Sequence, residues 1–132
     1  MKRIVVELAF AFIAWLIPFV MSVCIFPLRD AQRPLFEIIM SVTLTANTAL
    51  IGLAYLRRTS SNRLARSIAI GVTWMMANWA IDLLMFSTGP MQMPLRQYVS
   101  EIASAYLVIP GITIALGAAA SLSTPRQLSA SG

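Results

Sequence analysis

Four long apolar runs, at about residues 4–26, 35–56, 67–88 and 98–120, limit what this chain can become more than any other feature. Roughly 20 helical residues, rising about 1.5 Å each, cross the hydrocarbon of a bilayer. No water is present there to satisfy backbone N–H and C=O groups, so a segment must hydrogen-bond within itself or join a closed barrel. The runs lack the alternating pattern of barrel strands. The expected fold is therefore all-α, a bundle of four transmembrane helices spanning 1–120 and followed by a mobile tail, Ser121–Gly132. With 58% hydrophobic and 11% charged residues over 132 positions, the chain is far from the roughly one-quarter charged content of a soluble domain. The first run follows Lys2 and Arg3, as a signal sequence would. It is too long for an h-region, and Val23 before Cys24 is too bulky for a lipoprotein cleavage site, so a retained helix is expected.

The basic residues set an expected orientation. Lys2, Arg3, Arg57, Arg58, Arg63, Arg66 and Arg126 fall on one side of the runs, and Arg29, Arg33 and Arg96 on the other. Basic residues accumulate in short cytoplasmic loops, which places both termini in the cytoplasm. The preference for arginine over lysine fits a GC-rich bacterial source. Arginines that flank apolar runs are a membrane pattern, not the solvated basic face of a nucleic-acid binder, and no nucleic-acid partner is expected.

Several chemistries lack their residues. The chain has no histidine, which removes the usual zinc and haem ligands and the imidazole-based triads. Its one lysine is Lys2, so no internal Schiff base can form. Cys24 is a lone cysteine in an apolar stretch, where it behaves as a small hydrophobe. No phosphate-binding glycine loop or nucleophile elbow is present, and no cofactor is expected.

The remaining candidates are the polar groups inside the runs. Asp82 sits roughly 8 Å from its helix midpoint at the 1.5 Å rise; Glu37 and Glu101 lie further out on the same side. An Asp near a helix centre costs about 2.5–3.5 kcal/mol to insert and normally turns inward to a partner. Gly71, Trp74, Asn78 and Asp82 share one face of the third run. Glu37, Ser41, Thr45, Thr48 and Gly52 share one on the second, with Asn47 alongside, and Gln97, Glu101, Ser104, Val108 and Gly111 share one on the fourth. These stripes are expected to face one another. Two readings stay open. In one, the hydroxyls and amides glue helices together while Arg33 or Arg96 neutralises a carboxylate. In the other, Asp82, Glu37, Glu101, Asn78 and Asn47 form a cluster that binds a proton or a cation. Pro18 and Pro110 should each kink a helix, and Gly111, Ala115 and Ala119 form a small-residue row for close helix approach, within the bundle or between copies. Met91 and Met93 present thioethers suited to Cu(I) but no other soft ligand to complete a site.

Phe26, Gln32, Pro34 and Leu35 recur sixty residues later as Phe86, Gln92, Pro94 and Leu95. If this marks a duplication, the bundle is two parallel helical hairpins related by an axis along the membrane normal. The stretches Phe26–Arg29, Arg33–Glu37 and Asp82–Met93, with Tyr98, Glu101-Ile102, Tyr106-Leu107 and Ile109-Pro110, resemble a group of small four-helix bacterial inner-membrane proteins of uncharacterised function. That resemblance implies a bacterial inner-membrane origin and the four-helix topology, and no activity. The expected role is a non-enzymatic accessory or scaffold subunit, in contact with lipid and with other membrane subunits or a second copy. The alternative is a small cation- or proton-linked transporter or channel built on Asp82.

Overall fold

A computed structural model describes residues 2–88 and 92–123, with side chains from Ile4 onward. Its elements are α1 (Lys2–Cys24), α2 (Phe26–Ala31), α3 (Arg33–Arg57), α4 (Arg63–Ser87), α5 (Leu95–Glu101), a 3-10 segment (Ala103–Leu107) and α6 (Val108–Leu122). No strand occurs among the described residues. Four stretches are long and apolar enough to cross a membrane: Ile4–Cys24, Arg33–Arg57, Arg63–Ser87 and Ala103–Leu122. The fold is an all-α four-helix bundle, and its apolar surface points to a membrane location. Large side chains such as Val42, Leu50, Leu84 and Leu107 stand exposed on its outside, whereas a soluble monomer rarely shows an apolar surface of that extent.

The fourth run is not one helix. α5 ends at Glu101, and a 3-10 segment precedes α6. Pro110 explains the position of the restart. It has no N–H to offer the Tyr106 carbonyl, and with α6 beginning at Val108 it falls in the first turn, where that N–H is not needed. The expected mid-helix kink is thus replaced by a new helix start. α1, by contrast, runs through Pro18 without interruption.

The packing order is also specific. α4 lies most closely on α6, α3 on α6 and α1 on α3, with α1 beside α4, while α3 and α4 scarcely meet although they are consecutive. Two hairpins, α1/α3 and α4/α6, therefore lie side by side. A two-fold axis along the membrane normal would put α1 diagonally across from α4. Their adjacency instead corresponds to a shift of one hairpin alongside the other, so the expected axis is absent.

Small residues bring α4 and α6 together. Ser67 and Gly71 on α4 face Thr113 and Gly117 on α6, each pair four apart, the spacing that lets membrane helices approach closely. A Cβ at Gly71 would collide with Thr113 Oγ1 and come within 2.8 Å of Pro110 Cα; one at Gly117 would collide with Ser67 Oγ. Gly111, in the row expected from sequence, meets nothing within 4 Å and points out of the bundle. Above this contact sit Trp74, with no exposed surface, and the rings of Phe10 and Tyr55, at 6.4 and 6.1 Å from it.

These two glycines should respond oppositely to the same change. Gly71→Ala is expected to force α4 from α6 and lower stability by about 1–3 kcal/mol. Gly111→Ala should leave stability unchanged or raise it by up to about 1 kcal/mol through helix propensity. Denaturation of the two variants in detergent, followed by circular dichroism, checks both signs.

Candidate functional site

The expected stripes meet the structure unequally. On α4, Gly71, Trp74, Asn78 and Asp82 are all buried, as their spacing requires. On α3, Asn47, Thr48 and Gly52 are buried, but Glu37, Ser41 and Thr45 are exposed. On the fourth segment the expected face points outward: Gln97, Glu101, Ser104, Val108 and Gly111 are all exposed. The inward face is Tyr98, Ala103, Tyr106, Ile109, Thr113 and Gly117. Ala103, Tyr106 and Ile109 are spaced by three, the period of a 3-10 helix, in which residues i and i+3 eclipse.

Asp82 is therefore enclosed, but not by the residues expected. Its Oδ1 accepts a 2.8 Å hydrogen bond from the Trp15 indole of α1, and its Oδ2 accepts one of 2.7 Å from the Tyr106 hydroxyl. Trp15 and Tyr106 are themselves buried. The hydroxyl of Tyr98, 3% exposed, lies beside the same carboxylate without a well-formed hydrogen bond. Among the described residues no arginine reaches Asp82. An indole N–H can only donate, so Oδ1 is an acceptor in every state. A phenol can donate or accept, so Oδ2 tolerates either protonation state. The acid ties α1, α4 and the 3-10 segment together through neutral donors, without the desolvation cost that a buried partner cation would add.

Glu37 and Glu101 do not join it. They form a separate exposed network: Arg33 Nη2 lies 2.9 Å from Glu101 Oε1, Arg33 Nε donates to Glu37 Oε1 at 3.0 Å, and Arg29 Nη2 is 3.5 Å from Glu101 Oε2. Gln97 adds a bond to Glu101 of 3.1 Å. Arg33 is a charge partner as expected, and Arg29 takes the place expected of Arg96, which forms no ion pair among the described residues. The Arg33 guanidinium, with smaller help from Gln97 and Arg29, holds the Glu101 carboxyl below its usual range.

The amides serve the bundle. Asn78 Nδ2 donates to the Trp74 carbonyl of its own helix at 2.7 Å, while Asn78 Oδ1 and Trp74 Nε1 are buried without a protein partner. Asn47 Nδ2 donates to the Ala14 carbonyl at 2.8 Å. Ala14 is four residues before Pro18, so this is the carbonyl that the proline leaves without its helical N–H. Asn47 repairs it from the neighbouring helix. Trp79 Nε1 similarly donates to the Ala103 carbonyl in the 3-10 segment, at 3.2 Å. Sequence reasoning missed Trp15 and Tyr106. Their signal is chemical rather than periodic: each is an aromatic donor within an apolar run, and such a group needs a partner when buried. Met91 lies outside the described residues, and with it the Cu(I) pair.

Two outcomes follow. Asn47→Ala should cost about 1–2 kcal/mol in the natural background and measurably less in a Pro18→Ala background, where residue 18 supplies its own N–H; a double-mutant cycle on unfolding reads the coupling. The ion network should respond to acid. A carboxylate whose pKa is lowered by its partners contributes stability above the ordinary carboxylate range and loses it as pH falls through the lowered value. The protection of α2 and α5 amides against hydrogen exchange, taken relative to the intrinsic rate at each pH, should therefore hold from neutral pH through the usual Glu range and fall only in stronger acid. In Glu101→Gln that fall should be smaller. No protein-family model, curated protein or solved structure matches this chain.

Proposed function

We propose that the protein is a non-enzymatic accessory or scaffold subunit of a membrane assembly, set in a bacterial inner membrane with both termini and the 57–66 loop in the cytoplasm. The observation that carries this reading is the direction in which its small and hydroxyl-bearing residues face. Ser41 and Thr45 of α3 and Gly111, Ala115 and Ala119 of α6 stand on the outside of the bundle, next to exposed large apolar side chains such as Val42, Leu50 and Ile114. Between helices in lipid, small residues permit close approach and hydroxyls form interhelical bonds. A surface of this composition suits a helix of a second protein or a second copy better than acyl chains.

The transporter alternative depends on Asp82. Both of its carboxylate oxygens are held by aromatic donors, and the two cavities between α1, α3 and α4 lie at the other end of the bundle. The acid reads better as an anchor than as a carrier site. The orientation rests on the positive-inside rule alone.

Gly111→Leu/Ala115→Leu should leave the melting temperature of the solubilised protein nearly unchanged and abolish co-purification of its partners, or dimerisation, after mild solubilisation. A natural protein that emerges as a lone monomer would overturn the accessory role. Asp82→Asn in proteoliposomes should change no ion flux; a flux present in the natural protein and lost in this variant would establish the transporter instead.

A further inference from the structure

At the end of the bundle carrying the 57–66 loop, two adjoining cavities of about 420 and 310 Å³ open between α1, α3 and α4, sharing Tyr55, Ser61 and Arg66. The larger combines three kinds of group. Arg58 and Arg66 supply positive charge, Thr59, Ser60 and Ser61 supply hydroxyls, and Val6 and Phe10 of α1 supply an apolar wall that continues down into the hydrocarbon-facing surface. Its lining includes no acid. The acid of this region, Glu7, lines only the smaller cavity, where it accepts a 2.9 Å bond from the Tyr55 hydroxyl.

The local backbone adds to this field. The chain turns through Asn62 at φ 48°, a left-handed conformation that Asn tolerates, and enters α4 with no side chain capping its first-turn N–H groups. The positive end of a 25-residue helix therefore opens beside the two arginines. Arg58 is held in place by the Phe10 ring, its guanidinium carbon 5.8 Å from the ring centroid. A guanidinium resting on a ring keeps its N–H edge available for two-pronged contact with a phosphate.

We propose that this larger cavity is a binding site for the phosphate headgroup of an anionic phospholipid. Arg58 and Arg66 engage the phosphate, the loop hydroxyls donate to its remaining oxygens, and an acyl chain runs along Val6 and Phe10. A basic pocket between membrane helices at the headgroup level is the setting in which such lipids are recognised. A lipid fits better than a soluble phosphate because the charged floor and the apolar wall are continuous in one cavity. This inference goes beyond the accessory role and is independent of it: the site would exist in a lone monomer, so a failed co-purification leaves it untouched.

The test uses the full chain purified in a neutral detergent, with phosphatidylglycerol, phosphatidylcholine or inorganic phosphate added separately, and native mass spectrometry and melting temperature as readouts. Phosphatidylglycerol should be retained and raise the melting temperature; phosphatidylcholine and inorganic phosphate should do neither. Arg58→Gln/Arg66→Gln should weaken retention by about tenfold or more, given roughly one favourable contact energy per arginine near an anionic surface. The charge-matched control Arg57→Gln/Arg96→Gln, which touches neither cavity, should change it little. Ser60→Asp, which keeps both arginines, should also expel the lipid. Equal retention of phosphatidylcholine, equal protection by inorganic phosphate, or an equal loss in the control variant would each overturn the proposal.

Discussion

A carboxylate inside an apolar bundle must have both oxygens satisfied, and the rest of this structure is arranged around how that is done for Asp82. Its partners come from α1 and from the 3-10 segment, so the acid fixes the rotation of two elements relative to α4 at once. Among the described residues no arginine, the obvious counter-ion, reaches Asp82. A buried guanidinium would add its own desolvation, which Coulomb attraction often fails to repay. An indole and a phenol bring polar tips on apolar bodies and cost little to bury when those tips are bonded. The described arginines are instead kept at the bundle ends, where solvent or headgroups can reach them.

Proline creates the second set of demands, and the two prolines are met differently. Pro18 stays inside a continuous helix, so a carbonyl in the preceding turn is left open, and a polar side chain on the adjacent helix closes it. Asn47 is thus buried for a backbone reason and not for a ligand. Pro110 is placed in a first turn, and the irregularity moves upstream into the 3-10 segment, whose Ala103 carbonyl takes an indole N–H from α4. That segment carries Tyr106. The backbone irregularity and the acid's second donor are therefore one feature: three-residue spacing brings Ala103, Tyr106 and Ile109 to the same inward line.

This explains which parts of the fold were legible. The four spans were readable because length and apolarity report directly on hydrocarbon thickness. The face of α4 was readable because that helix is unbroken and keeps one period from Ser67 to Asp82. On the fourth run the projected face begins at Gln97 and Glu101, which themselves face outward, so Ser104, Val108 and Gly111 follow them outward, while the inward line runs through Tyr98, Ala103, Tyr106 and Ile109. On α3 the direction was nearly right and the depth was not. Its buried residues run from Leu44 to Leu56, so Glu37 and Ser41 lie on a face that would be inward if a neighbour were present. Spacing within a helix gives rotation; it does not say how far along that helix a neighbour extends.

The same limit separates the acids. Glu37, Asp82 and Glu101 look equivalent in sequence, three carboxylates near one end of three spans. Burial divides them. The two exposed ones draw Arg29 and Arg33 into ion pairs of the kind that contribute little to stability in solvent, and in doing so neutralise those two arginines. At the opposite end, Arg58 rests on an aromatic ring and Arg63 donates to the Thr59 carbonyl at 3.2 Å. Rings and carbonyls orient a guanidinium without cancelling its charge. The chain's excess positive charge is therefore concentrated electrostatically, as well as by count, at the 57–66 loop, so one end of the bundle presents compensated ion pairs while the other presents a standing positive field to whatever anionic surface it meets.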